Sequence, residues 1–364
     1  MTFGKLLRSP FGIAPELGYR YTVTEFSTQD ISSKNSDETV IFKYNPLIYL
    51  KMSIITARYW GRTGNMLFQI AAAIYYSDKM GRPFLLSKCR EFPNLDNHSP
   101  ESIGIDSAEF SDSLMDFSEE EIANGVPFPE NRNIKLTGFY QNWKMVEECR
   151  MQLFDVVGIR DIRNNVLPVI QSPEFESRGL FLSTTSTISL HIRRGDYEQL
   201  ACYFLLLNEY YYKGALLNIA NRMVGSNKIN VLCFYEKASS ESAKKIIDSL
   251  VADKDLSTFP FEYYHFNDLL PISLTDVEEL AVISHCDHNI IANSTFSWWA
   301  AYIGNNRQQK DRDKSSNNSK KIVCYPDEYF NHQLHYLSNA GLKVDGWTEI
   351  KAWNPDERKC ECLW

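Results

Sequence analysis

No apolar run in this chain approaches the roughly eighteen residues that a membrane span needs. The opening stretch, MTFGKLLRSPFGIAPELGYR, is interrupted by Pro10 and Pro15 before an apolar signal core can form, so no secretory signal is expected. The eight cysteines are scattered without a C-x-x-C pair, and the terminal KCECLW is not a prenylation box. Reduced cysteines in a cytoplasmic protein follow as the expectation. Sequons at Asn97, Asn293 and Asn317 are short enough to arise by chance. Positive charge is also in deficit: 38 Lys and Arg against 46 Asp and Glu leave a formal charge of −8. That balance gives no general attraction to nucleic acid or to anionic membranes. Any anion site must be local, built from a few placed cations and backbone N–H groups. What the chain does have is 44% hydrophobic residues, ample for a sizeable core, and a length that sets two domains as the starting expectation.

Residues 27–39, STQDISSKNSDET, read as an exposed loop or linker. Residues 1–51 form an N-terminal extension of no legible role. From Met52 the pattern becomes strand, glycine-containing loop, helix, strand. SIITARY is β-branched and apolar; NMLFQIAAAIYYSDKMG has helical spacing, with Gly81 and Pro83 as stop signals; PFLLS is expected as a second strand. Residues 90–133 show no clean pattern. The second half alternates more regularly: strands TISLHIR, INVLCFY, FEYYHF, HNIIA and KIVCY are separated by helices near 208–224, 239–251, TDVEELAVISHC and FSWWAAYI. Such alternation implies parallel sheets covered on both faces. The expected fold class is therefore α/β, with two Rossmann-like domains facing a cleft, one over 52–185 and one over 186–350, followed by a tail at 351–364. The polar run between Asn305 and Lys321 reads as a solvated loop.

Three stretches have the chemistry to hold a phosphate. In SLHIRRGDYEQ, strand alternation puts Ile188, Leu190 and Ile192 on one buried face and His191 and Arg193 on the other. Arg194 begins the loop and Gly195 turns it. Ligands of open α/β sheets gather at strand carboxyl ends, and guanidinium forks match phosphate oxygens. An arginine paired with Asp196 on the surface is the structural alternative. GRTGN, residues 61–65, joins a strand to a helix whose N-terminus offers free N–H groups. It lacks the full G-x-G-x-x-G and the Walker lysine, so alone it is a weak signal and a tight turn is the commoner explanation. In ANSTFSWWAAY, Ser294 and Thr295 stand where a helix begins; their hydroxyls can cap it or bind an anion, and Trp298 and Trp299 read as core. HCDH at 285–288 straddles a helix end and a strand start, so its side chains diverge. DRD at 311–313 lies in the solvated run. Neither is taken as a metal site.

In combination these stretches resemble the α-1,2-fucosyltransferase family. G-x-x-G-N-x-x-F-Q is present as Gly61, Gly64, Asn65, Phe68 and Gln69; H-x-R-R-G-D-Y is intact at 191–197; and HNIIANSTFSWWAAYIG, 288–304, resembles the C-terminal signature. The likeness runs over about 52–350. It implies a GT-B arrangement, with 52–185 on the acceptor side and 186–350 binding the GDP-sugar. The implied reaction is inverting, metal-independent transfer of L-fucose from GDP-fucose to O2 of a terminal β-galactoside. GDP-fucose is the donor substrate, and no cofactor is implied. Arg193, Arg194 and Asp196 become the expected catalytic residues. Gly64, Asn65, His191, Arg193, Glu236, Asn293, Ser294 and Thr295 become the expected donor contacts. Asp196 and Glu198 are the carboxylates near enough to serve as a base. Tyr235, Glu236 and Lys237 stand where many relatives have Ser-Asp-Asp, which touches nucleotide recognition and donor identity. The expected partners are GDP-fucose and a β-galactoside glycan, with no nucleic acid and no membrane span.

Overall fold

Nine strands form two wholly parallel sheets in the computed structural model, which describes residues 53–223, 228–270, 273–305, 321–334 and 338–354. The extension over 1–51 and the Asp-Arg-Asp run lie outside the described residues. The first sheet holds β1 (Ile55–Ala57), β2 (Leu114–Ser118) and β3 (Asn133–Thr137) in the order β1-β3-β2. The second holds β4 (Ser186–Ile192), β5 (Ile229–Tyr235), β6 (Phe261–His265), β7 (His288–Ile290), β8 (Val323–Pro326) and β9 (Thr348–Ile350), in the order β6-β5-β4-β7-β8-β9. From β4 the chain runs outward to β6, then returns to the other side for β7 to β9. The order therefore reverses between β4 and β7, and a doubly wound sheet opens its ligand crevice at that point.

The central strand shows why the sheet forms. Ser186 pairs with Ile229, Leu190 with Cys233 and Ile192 with Tyr235, and every residue from Thr187 to Ile192 is buried. Ile188, Leu190 and Ile192 join one core with Ala215 and Leu216 of α3 (Glu209–Ala220) and Ile246 and Ile247 of α4 (Ser240–Val251). Each such side chain contributes about 1.5–3 kcal/mol by leaving water. On the other face, α5 (Asp276–His285) starts at a capping box in which Thr275 accepts from the Glu278 N–H and Glu278 accepts from the Thr275 N–H.

In the first sheet, α1 (Thr63–Met80) ends at Gly81, whose left-handed φ of 61° closes the last turn. Its apolar positions Leu67, Phe68, Ile70 and Ile74 are fully buried. They pack in one core with α2 (Trp143–Val157) and α6 (Thr295–Gly304). The strand expected at PFLLS is not one. Phe84 makes a single bridge to Ile55, and the chain then enters 3₁₀ turns at Pro93–His98 and Pro100–Ile103. Pro83 can accept from the Ile55 N–H but has no N–H to return. β2, inside the stretch without a clean pattern, buries only Phe117 and sits at an edge, so alternation could not mark it.

Candidate active site

The loops leaving the carboxyl ends of both sheets line one cleft of about 880 Å³, inside the roughly 300–1,000 Å³ usual for ligand sites. Gly61 to Asn65 follow β1, Glu119 follows β2, and Phe139 and Gln141 follow β3. Arg193 follows β4, Glu236 follows β5, and Asn293 to Phe296 follow β7. Of the residues expected at the site, Gly64, Asn65, His191, Arg193, Asp196, Glu236, Asn293, Ser294 and Thr295 all line this cleft. Arg194 does not. Its side chain turns into the protein, is buried, and donates from Nη2 to the Leu207 carbonyl at 2.8 Å. Strand alternation is the reason: one residue beyond Arg193 the side chain leaves on the opposite face.

Arg193 is the organising cation. Its two Nη atoms donate to Glu236 and to Asp196, its guanidinium lies 4.9 Å over the Tyr197 ring, and its Nε is buried with no hydrogen-bond partner among the described residues. The pairing with Asp196 is present, with Glu236 as a second carboxylate, but on an arginine that lines the cleft and is only 10% exposed rather than on the surface. Glu236 also accepts from Arg62, which precedes α1, so two cations and two carboxylates meet in one cluster. Gly195 makes the cluster possible. Its φ is +60°, and a Cβ there would stand 2.1 Å from Glu236 Oε2. Tyr197 donates to the Asn293 carbonyl at 3.1 Å and stacks on Phe204 at 4.4 Å. His191, beneath Arg193, is pushed down to about 3 by burial and then by the Arg193 charge, so its ring is neutral at working pH.

The second set of expected residues joins two helix N-termini. Asn65 Oδ1 accepts from Thr295 Oγ1 at 2.9 Å and from Gln141 Nε2 at 3.2 Å. Ser294 caps α6 by accepting from the Phe296 N–H at 3.3 Å. A Cβ on Gly64 would lie 2.6 Å from the Phe296 nitrogen and the Thr295 carbonyl carbon, so α1 and α6 can meet only with glycine there. Both positive dipole ends consequently point into the cleft beside Arg193. Asn293 is buried, with Nδ2 donating to the carbonyls of Leu205 and Tyr329 at 2.9 Å each, and it fixes the cleft wall.

The family model for glycosyl transferase family 11 matches residues 138–320, half of the chain. The chain belongs to this family. Two relatives from Escherichia coli accompany that match. One, an α-1,2-colitosyltransferase, is 22% identical over 285 residues, 70% of this chain and 89% of that protein. The other, the O-antigen biosynthesis glycosyltransferase WbnK, is 28% identical over 215 residues, 56% of this chain and 60% of that protein. Among solved structures, fucosyltransferase NodZ from Bradyrhizobium superposes with a TM-score of 0.39 at 15% identity, covering 70% of this chain and 93% of that one. The family 11 chain is an α/β protein with parallel sheets, the class expected from its alternation, and it is a glycosyltransferase. Among its described residues no helix is long and apolar enough to cross a membrane.

Acidic groups also line the cleft of this family 11 enzyme, and no sequence pattern announced Glu279 among them. Glu279, on α5, lines the cleft with Asp276 and is pushed up to about 7 by burial, then by the charges of Asp276 and Glu236. No motif marks it; it is one of two adjacent glutamates in a helix, and only the helix's docking decides which faces the ligand. Because its folded pKa lies above the ordinary carboxyl value of about 4.3, the folded state favours the protonated form. That contribution is present below pH 4.3 and lost as pH rises through about 7. Glu279→Gln is therefore expected to melt higher than the wild type at pH 8 and alike at pH 4. Equal melting curves across that range would remove the carboxyl strain.

The four residues set aside as a metal site are occupied structurally. His285 Nε2 is 3.1 Å from the Arg163 carbonyl, Asp287 accepts from the Thr187 N–H at 2.8 Å, and His288 accepts from the Ile322 N–H at 3.1 Å. Cys286 lies buried. Among the described residues no group of three or more His, Cys, Asp or Glu could hold a metal ion.

Proposed function

We propose that this family 11 glycosyltransferase moves L-fucose from GDP-fucose to O2 of a terminal β-galactoside, with inversion and without a divalent metal. The observation that carries the reading is the convergence of Arg193 and the N-termini of α1 and α6 on one cleft that carboxylates also line. The pyrophosphate of a nucleoside diphosphate sugar suits those positive groups. The N1–H and N2–H donors of guanine and the ribose hydroxyls suit the carboxylates of Asp276 and Glu279, while Glu236, bonded to Arg193 and Arg62, stands where an acidic pair was expected. The name of the colitosyltransferase relative supports an α-1,2 linkage.

The acceptor O2 attacks the anomeric carbon as the bond to the phosphate oxygen breaks, and the electron pair leaves with GDP. Negative charge grows on the leaving phosphate, so fixed positive groups there stabilise the transition state more than the ground state. Arg193 takes this role when the pyrophosphate displaces one of its carboxylates, and its unpartnered Nε adds a further donor. Asp196, released in that exchange and half exposed, is placed to receive the O2 proton. Arg194 acts only through the loop it anchors. The positive charge that a metal supplies to other transferases comes here from Arg193 and two helix ends. A donor bearing colitose, which lacks one ring hydroxyl of L-fucose, is the second reading, favoured by the E. coli relative and by the Tyr235-Glu236-Lys237 departure.

GDP release from GDP-fucose, measured with and without lactose in EDTA, tests the proposal. Acceptor-dependent release in chelator is the expected result. Release that needs added divalent metal would overturn the metal-free mechanism, and failure to bind either GDP or GDP-fucose would overturn the site.

A further inference from the structure

Two large aromatic side chains stand exposed on the first-sheet side of the cleft. Trp60 is 40% and Phe139 45% exposed, and their ring centres lie 6.4 Å apart at 55°. Trp60 follows β1 and adjoins the cleft-lining Gly61, while Phe139 follows β3 and lines the cleft itself. Exposed aromatics of this size cost solubility and are retained where they bind something.

Their mounting is rigid. The buried Gln69 side chain pins both loops at once: Oε1 accepts from the Trp60 N–H at 2.8 Å, and Nε2 donates to the carbonyls of Trp60 at 3.2 Å and Gly138 at 3.1 Å. Glu119 accepts from the N–H groups of Phe139 and Tyr140 at 2.9 and 3.0 Å. Tyr140 adopts φ +52°, an unfavourable conformation for a residue with a Cβ, and its own ring is buried. A Cβ on Gly138 would lie 2.6 Å from Glu119. Strain, a buried amide and a carboxylate are all spent on turning Phe139 outward beside Trp60. Arg58 then lies 4.6 Å over the Trp60 ring and steadies it. Backbone strain held in place by its surroundings concentrates at functional sites.

We infer that Trp60 and Phe139 form the acceptor platform, stacking the C–H face of the terminal β-galactoside while its hydroxyl edge faces the cleft. A β-galactoside carries C3–H, C4–H and C5–H on one side, an apolar patch that suits the electron-rich ring face. The platform rests on the transferase reading above. Gln69 is its positioning residue, holding the two loops without touching sugar.

Trp60→Ala, Phe139→Ala and Trp60→Phe test it, since these side chains are exposed and their loss leaves the core intact. Binding to an array of terminal hexopyranosides is measured with GDP present, and GDP affinity is measured separately by calorimetry. The expected result is galactoside binding by the wild type, weakened about tenfold in either alanine variant. Trp60→Phe recovers most of it, and GDP affinity stays within about twofold of the wild type. Unchanged galactoside binding in both alanine variants, or a wild type that binds GDP but no galactoside, overturns the platform alone. A wild type that fails to bind GDP overturns the transferase reading and the platform with it.

Discussion

Replacing Arg193 with alanine is expected to lower the rate of glycosyl transfer by about 10²–10³, whereas replacing its neighbour Arg194 should lower stability instead. The two residues are adjacent and chemically identical, but their side chains leave the backbone on opposite faces. Arg193 faces the cleft with its guanidinium over Tyr197 and against Glu236 and Asp196. In the proposed mechanism, removing it takes away the charge opposing the leaving phosphate and frees Asp196 to repel the donor, so GDP affinity should fall with kcat. Arg193→Lys should not restore activity, because a point charge cannot bridge two oxygen partners as a planar fork does. Arg194 is buried and supplies a donor to the Leu207 carbonyl. Arg194→Ala leaves that carbonyl without its partner and costs about 1–3 kcal/mol, while the folded fraction keeps its turnover. Initial rates and thermal melts of both variants separate the outcomes. An Arg193→Ala enzyme retaining most of its activity would take Arg193 out of the chemistry.

The same contrast shows what the sequence could and could not reveal. Alternation along SLHIRRGDY placed His191 and Arg193 on the face opposite Ile188, Leu190 and Ile192, and β4 folds that way. It could not settle Arg194 in advance, because β4 ends at Ile192 and alternation need not persist two residues further; in the structure it does. The six-stranded sheet was legible because its central strands are apolar runs between periodic helices. Its outer strand β9, three residues long, had no run to read, and PFLLS had the composition of a strand without the pairing. At the site, residues of three motifs distant in sequence line one cleft, and several of them bond to one another. Asn65 and Thr295 bond to each other, and Ser294 caps a helix. Glu279, Trp60 and Phe139 have no local signature. Each depends on a docked helix or a braced turn, and such long-range packing leaves no periodic trace.

The joint that brings the two sheets' helices together should be the most sensitive structural point. Phe68 belongs to the same motif as Asn65, yet it never reaches the cleft. It is fully buried on α1, with its ring centre 4.8 Å from Trp298 and 4.9 Å from Trp299 on α6. Trp298 in turn stacks on Tyr302 at 4.8 Å and donates to the Leu342 carbonyl at 2.8 Å, so its ring is held against shifting to fill a void. Phe68→Ala is expected to cost about 3–5 kcal/mol, which for a body of this size lowers the melting temperature by roughly 4–8 °C. Phe68→Leu, which keeps most of the volume, should lose far less. Below its melting point the alanine variant should still bind GDP, because Arg193 and Glu279 are untouched. Transfer should nonetheless fall, since the Gly64–Phe296 contact that aims both helix N-termini depends on the helices staying in register. A Phe68→Ala protein with wild-type melting would mean that the aromatic cluster repacks, and the two sheets would then owe their alignment to the polar Asn65–Thr295 contact instead.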